Sequence, residues 1–360
     1  MFLKWEVMAL AAPVAFLVAC EQPSAPEPTQ SAVPLGASPS LSKAARTVTI
    51  KDLGTLGGAN SYAQAINSDG WVVGASDVSQ AGAGHAFLWK DGRMTDLGTL
   101  GGTSSQAIGI NDEGEVVGSS QVAGDTAWHA FRWSHGRMMD LGGLGGSYTE
   151  GFDINDAGDV AGGGLTPANL FHAVLWRHGR IRDLGTLGGS SSFSNGINNE
   201  DVVVGGAMLT GDLVEDAFLW RDGVMHDLGT LGGSFAGASH INGAGTVVGG
   251  SALVGDVTTH AFLWQRGQMR DLGDLGGGYS YAQWINDAGQ VAGGSSLADG
   301  AYHAFLWDNG AMTDLGILPG GGDVSWAQAI NNRGQVVGGA VTATGQEHAV
   351  LWATREQDRR

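Results

Sequence analysis

Apolar and polar positions alternate along most of this chain, in short runs that never lengthen into a helical pattern. In "SQAIGIN" (105–111), "EVVGSS" (115–120), "HAFRW" (129–133) and "MMDLG" (138–142), large apolar side chains fall at every second position or in β-branched pairs. That is the period of a strand; an amphipathic helix would repeat every 3.6 residues. Between the third and fourth runs the chain turns through a residue followed by glycine: Asp91-Gly92, His135-Gly136, His178-Gly179, Asp222-Gly223, Arg266-Gly267 and Asn309-Gly310. Two-residue connectors of this kind need positive φ at both central positions and join antiparallel strands.

The four runs form a unit, and the unit recurs. The aspartate of a "DLG" phrase stands at residues 52, 96, 140, 183, 227, 271 and 314, and the aromatic pentapeptide keeps the same spacing. A period in this range points to a propeller or a solenoid. Four antiparallel strands per period, seven times over, predict an all-β fold, a seven-bladed β-propeller of four-stranded antiparallel blades. The ends favour the propeller. "TVTIKDLGTLGG" (47–58) opens the array with no aromatic pentapeptide before it, and "HAVLW" (348–352) finishes it with no "DLG" after it. Residues 47–53 are therefore expected to pair with 348–352 and close the last blade, removing the edges that an open array would have to protect.

Turn position sets the hairpin register. Counting back from Asp91-Gly92 pairs Lys90 with Arg93, Trp89 with Met94 and Phe87 with Asp96, so His85 becomes the diagonal neighbour of Asp96. The same count joins His129 to Asp140 and His348 to Asp52. A buried histidine held by a carboxylate satisfies both groups and pins the hairpin. Histidines on third strands of adjacent blades would stand ~10 Å or more apart, against a zinc–nitrogen bond of ~2 Å; neither a metal nor any other cofactor is expected. The tryptophans closing the pentapeptides, from Trp89 to Trp352, are expected to pack between blades.

"HAFLW" and "DLGTLGG" resemble the HAF repeats of predicted extracellular bacterial proteins, a family named for its His-Ala-Phe. The resemblance runs over 47–352, with local departures: "DAFLW" at Asp216, "HAVLW" at 172 and 348, and "DLGILPG" near the end. It implies an exported protein and carries no assigned reaction.

Composition narrows the partners. A formal net charge of −18 over 360 residues excludes the basic footprint that nucleic acid or an anionic lipid surface demands. Glycine, 62 residues, recurs at fixed phase and reads as turn chemistry. The only cysteine, Cys20, follows Lys4 and an apolar run from Val7 to Ala19 that is too short for the ~20 residues of a membrane span. Residues 1–19 read as a signal peptide, and Leu17-Val18-Ala19-Cys20 resembles a bacterial lipobox that would leave a lipidated Cys20. The Pro/Ser/Ala-rich stretch to residue 46 reads as a disordered tether, and 353–360 as a polar tail. The expected location is the bacterial cell envelope, with the membrane reached through the lipid anchor alone and the protein a monomer.

Function is expected where the repeat is broken. Counting back from the strand isoleucine gives aromatics of varying type, Tyr62, Tyr148, Phe193, Phe235, Tyr281 (with Tyr279) and Trp326. They are either blade-edge packing or a contact rim for a protein or glycan. The acidic turns "NDEGE" and "NDAGD" lack a full calcium loop and read as solvated. The leading expectation is a non-catalytic binding or scaffold protein. The alternative, a hydrolase or lyase acting on an extracellular polymer, would draw on Glu150, Asp153, Glu215, Asp216, His240 and Asp323.

Overall fold

The computed structural model describes residues 48–79 and 83–354. Among these there are twenty-eight strands and no helix. The first complete unit is Ser61–Ile66, Val72–Asp77, Gly84–Lys90 and Arg93–Asp96, each strand antiparallel to the next. Its last hairpin pairs Lys90 with Arg93, Trp89 with Met94 and Phe87 with Asp96, the register expected from the turn. Asp91 and Gly92 supply the positive φ that the turn requires, 52° and 80°. The quartet recurs to give five sheets of four strands and one of eight. The eight-stranded sheet is two quartets joined where Glu215 bridges Phe235 in parallel.

Val48–Asp52 pairs antiparallel with the last strand, Glu347–Thr354, setting Ile50 opposite Trp352 and Asp52 opposite Val350. That strand runs past "HAVLW" into Ala353 and Thr354, which the sequence assigned to the tail. The expected signal peptide (1–19), Cys20, the expected tether (to residue 46), residue 47 of the expected closing strand and residues 355–360 lie outside the described residues.

Glycine is only partly turn chemistry. A Cβ on Gly74 would lie 1.8 Å from the Tyr62 carbonyl oxygen, and the equivalent glycines 118, 162, 205, 249, 293 and 338 meet a first-strand carbonyl at 1.9–2.1 Å. This close approach falls beside a β-bulge: the pairing skips one residue between Ala63 and Ala65, and likewise in each later unit.

The core lies between consecutive units. Ile110, Val116 and Phe131 pack with Ala65, Val73 and Ala86 of the unit before. Val72, Phe87 and Trp89 pack with Ala329, Val337 and Ala349 of the last. Trp89, Trp176, Trp220, Trp307 and Trp352 are buried, and Trp133 and Trp264 partly so.

Candidate functional site

Every unit's first strand ends in isoleucine and is followed by an asparagine that serves two neighbours at once. Asn67 Oδ1 caps its own turn, accepting from the backbone of Asp69 at 3.1 Å and Trp71 at 2.9 Å. Its Nδ2 donates to the backbone carbonyl of Asn111 in the next unit at 3.2 Å. The donation passes from Asn111 to Asn155, Asn198, Asn242, Asn286 and Asn331, and Asn331 donates back to Asn67 at 3.0 Å. A short amide carries both the acceptor and the donor that this needs. The sequence reading overlooked these residues, although "IN" in all seven copies was the signal.

These turns wall a cavity of about 170 Å³. Carboxylates stand at its exposed mouth, one residue after the asparagine, and backbone amides of the preceding unit hold them. Asp112 Oδ1 accepts from Ser68 at 2.8 Å, Asp156 Oδ1 from Asp112 at 3.1 Å and Asp287 Oδ1 from Gly243 at 3.0 Å. Asn199 and Asn332 donate to the second oxygens of Asp156 and Asp287 at 2.7 and 2.8 Å. The acidic turns read as merely solvated are therefore joints between units.

The residue after each bulge precedes the isoleucine, and across the units it reads Ala65, Gly109, Asp153, Gly196, His240, Trp284 and Ala329. The three large members line the cavity. His240 stacks on Trp284, ring centroids 3.7 Å apart and planes 20° from parallel. Its Nε2 stands 3.7 Å from Asp153 Oδ2. Asp153 accepts from the backbone of Ile154 and Ile197, both at 2.9 Å. Burial pushes the Asp153 carboxyl up to about 7 against the pull of those two amides. Burial also drags His240 down to about 3, against the Ile285 backbone and the Asp287 charge, so the imidazole is neutral. His240 Nδ1 is buried without a hydrogen-bond partner. Trp284, which the sequence reading missed, also packs against clusters built from the last, first and second units.

The other symmetry-breaking acids lie elsewhere. Glu150 is buried and accepts from Tyr148 Oη at 2.6 Å, Ser119 Oγ at 3.0 Å and Gln106. Burial and the Asp216 charge raise Glu215 to about 7; burial and Asp227 raise Asp216 to about 6. Asp323 is exposed. Of the six candidates, Asp153 and His240 come together at the cavity.

None of Tyr62, Tyr148, Phe193, Phe235, Tyr281 and Trp326 lines this cavity. They lie four or six residues before the strand isoleucine, in or just before the first strand, whereas the asparagines follow its end, and all are half-buried. Tyr281 covers Gly250 and Trp326 covers Gly339 so closely that a Cβ on either glycine would meet the ring at 2.2 Å. The expected histidine–aspartate pairs form, His85 Nδ1 to Asp96 at 2.8 Å, His129 to Asp140 at 2.7 Å and His348 to Asp52 at 2.8 Å. They are not buried as expected: the aspartates are 42–43 % exposed, because the fourth strand is the outer edge of its sheet.

No family model matches the chain, and no curated protein matches it significantly. Solved structures do. The β-propeller domain of the trilobed protease from Pyrococcus furiosus superposes with a TM-score of 0.52 at 10 % identity, over 81 % of this chain and 95 % of that one. The acylaminoacyl peptidase from Pyrococcus horikoshii gives 0.51 at 12 % identity, over 81 % of this chain and 51 % of that one. TolB from Acinetobacter baumannii gives 0.44 at 10 % identity, over 66 % of this chain and 63 % of TolB. The likeness to the trilobed protease domain, with the repeated antiparallel quartets, defines the fold as a β-propeller. The trilobed protease domain is described as having an open velcro topology; here Val48–Asp52 is hydrogen-bonded to the last strand.

Proposed function

We propose that this chain is an exported, lipid-anchored binding or scaffold protein, a seven-bladed propeller closed by its N-terminal strand, that presents a propeller face to a protein or glycan of the cell envelope without catalysing a reaction. The closed arrangement draws support from the pairing of Val48–Asp52 with Glu347–Thr354 and from the asparagine series that returns to Asn67. One observation carries the functional reading: seven near-identical units supply the cavity wall, while the ionisable groups that break the repeat are scattered among separate environments. Catalysis needs such groups converged on one reacting atom. The Asp153–His240 pair is held in burial, with the imidazole stacked on Trp284, which suits a rigid floor better than a proton shuttle.

The test has two parts. Crosslinking in intact cells should capture a defined envelope partner, and Cys20→Ser should move the protein out of the membrane fraction with its melting curve unchanged. Incubation of the purified chain with envelope polysaccharide and peptide should release no soluble fragments. Fragment release that Asp153→Asn abolishes would replace this reading with the hydrolase.

A further inference from the structure

The cavity mouth is acidic and its lining contains no lysine or arginine. Asp112, Asp156 and Asp287 are exposed there, each fixed by a backbone amide. An ionised carboxylate offers about four acceptor sites, so each fixed carboxylate keeps spare acceptor capacity. Three like charges held around one concave mouth give it a negative potential. Arg333 beside the mouth does not offset them from inside: its guanidinium lies 3.2 Å from the Cβ position of Gly70, and Arg333 is not among the lining residues.

The floor is the second observation. His240 is only 8 % exposed, yet its Nδ1 has no partner in the protein, and a buried polar atom left unpaired is costly. Beside it, half-buried Trp284 lines the cavity, and an indole ring attracts cations to its face. A neutral imidazole stacked on that indole places no positive charge at the bottom of the site. At about 170 Å³ the cavity falls below the ~300–1,000 Å³ of sites for drug-sized ligands and suits a single head group.

We infer that this cavity binds a small organic cation, a guanidinium or ammonium head group, with Asp112, Asp156 and Asp287 as its counter-charges and the Trp284–His240 stack as its floor. The inference rests on the binding-protein reading and names the ligand chemistry of that site. The head group belongs either to a free small molecule or to an arginine or lysine side chain of a protein partner.

Calorimetric titration of the full chain with butylguanidinium, and with butylurea as its uncharged isostere, tests the inference. Saturable one-to-one binding of the guanidinium, at least tenfold tighter than the urea and weakened by salt, is expected. The double variant Asp156→Asn/Asp287→Asn should lower the affinity at least tenfold while the protein stays folded, checked by its melting curve, since an asparagine Oδ1 can still accept from the same backbone amide. Trp284→Leu should lower it as well; should that variant misfold, the aspartate pair alone decides. A peptide with one arginine that binds much more tightly than butylguanidinium identifies a protein side chain as the source, and equal affinity identifies a free cation. No saturable binding, or equal binding of the urea, overturns the inference. Where the peptide identifies a protein side chain as the source, a crosslinked partner retained by the double variant would also overturn it while leaving the binding-protein reading intact.

Discussion

At the residue scale, the sites that break the repeat dominate the response to pH. Asp153 titrates near 7 in the folded protein, against about 3.9 in an unfolded chain. The unfolded state therefore gives up its proton first, and stability falls as pH rises from about 4 to 7, then levels off. The shift sets an upper bound of roughly 4 kcal/mol on that loss. Glu215, raised to about 7 by burial and by Asp216, acts in the same direction. Asp153→Asn should therefore flatten the pH dependence of the melting temperature between pH 4 and 8, even if losing one acceptor costs about 1 kcal/mol at every pH; an unchanged slope would refute the assignment. Asp216 tests the outer pairs. It stands where six other units place histidine, beside the Asp227 carboxylate that helps raise its pKa. Asp216→His should form the missing pair with Asp227 and stabilise the protein by up to about 1 kcal/mol at pH 6, as expected of a partly exposed pair, read as a small rise in melting temperature.

At the element scale, the quartet was legible, because strand alternation and a two-residue turn are local signals, although the second unit's first strand begins at Gly101 and not at Ser105. The bulge was not. It inserts one residue into the first strand and exposes its consequence only across the sheet, where the second strand's glycine meets a carbonyl. The two kinds of glycine should separate on substitution. Gly98 has φ 77° with nothing within 4 Å of its Cβ position, so Gly98→Ala should cost about 1–2 kcal/mol of backbone strain. In Gly74→Ala the Cβ would lie 1.8 Å from backbone oxygen, so the cost should reach about 3–5 kcal/mol, at the extreme of single substitutions. Chemical denaturation of the two variants measures the difference, and equal losses would contradict the close-approach explanation.

At the scale of the whole molecule, the strand from the start of the chain carries weight out of proportion to its length. Val48 and Ile50 pack on the cluster that holds Trp352, and Leu53 is buried in the cluster that holds Trp89. Deleting residues 47–53 should lower stability by more than about 3 kcal/mol through lost apolar burial alone, and should leave the last sheet's edge open to pairing with another molecule. Removing an equal length from the proline-rich stretch at 23–29 is the control. Equal melting temperatures for the two deletions would show that the pairing of Val48–Asp52 does not stabilise the fold.

The sequence by itself determined the strands, their order, the turn that sets each hairpin, the pairing of Asp52 with His348 and the place of tryptophan in the core. These follow from period, turn chemistry and repetition, which act over a few residues or recur often enough to be counted. Only the tertiary structure decided which break in the repeat matters. Asp153, His240 and Trp284 share one column of the repeat, but they belong to three different units and are neighbours in no local sense. Their meeting depends on the bulge turning that column toward a common cavity. The aromatic column looked equally promising in the sequence, yet it lies away from the cavity, and Phe193, Tyr281 and Trp326 lie over glycines that leave room for their rings. A pattern of residue types records which positions vary; whether the variants converge is set by the spatial relation between units, which no single unit encodes.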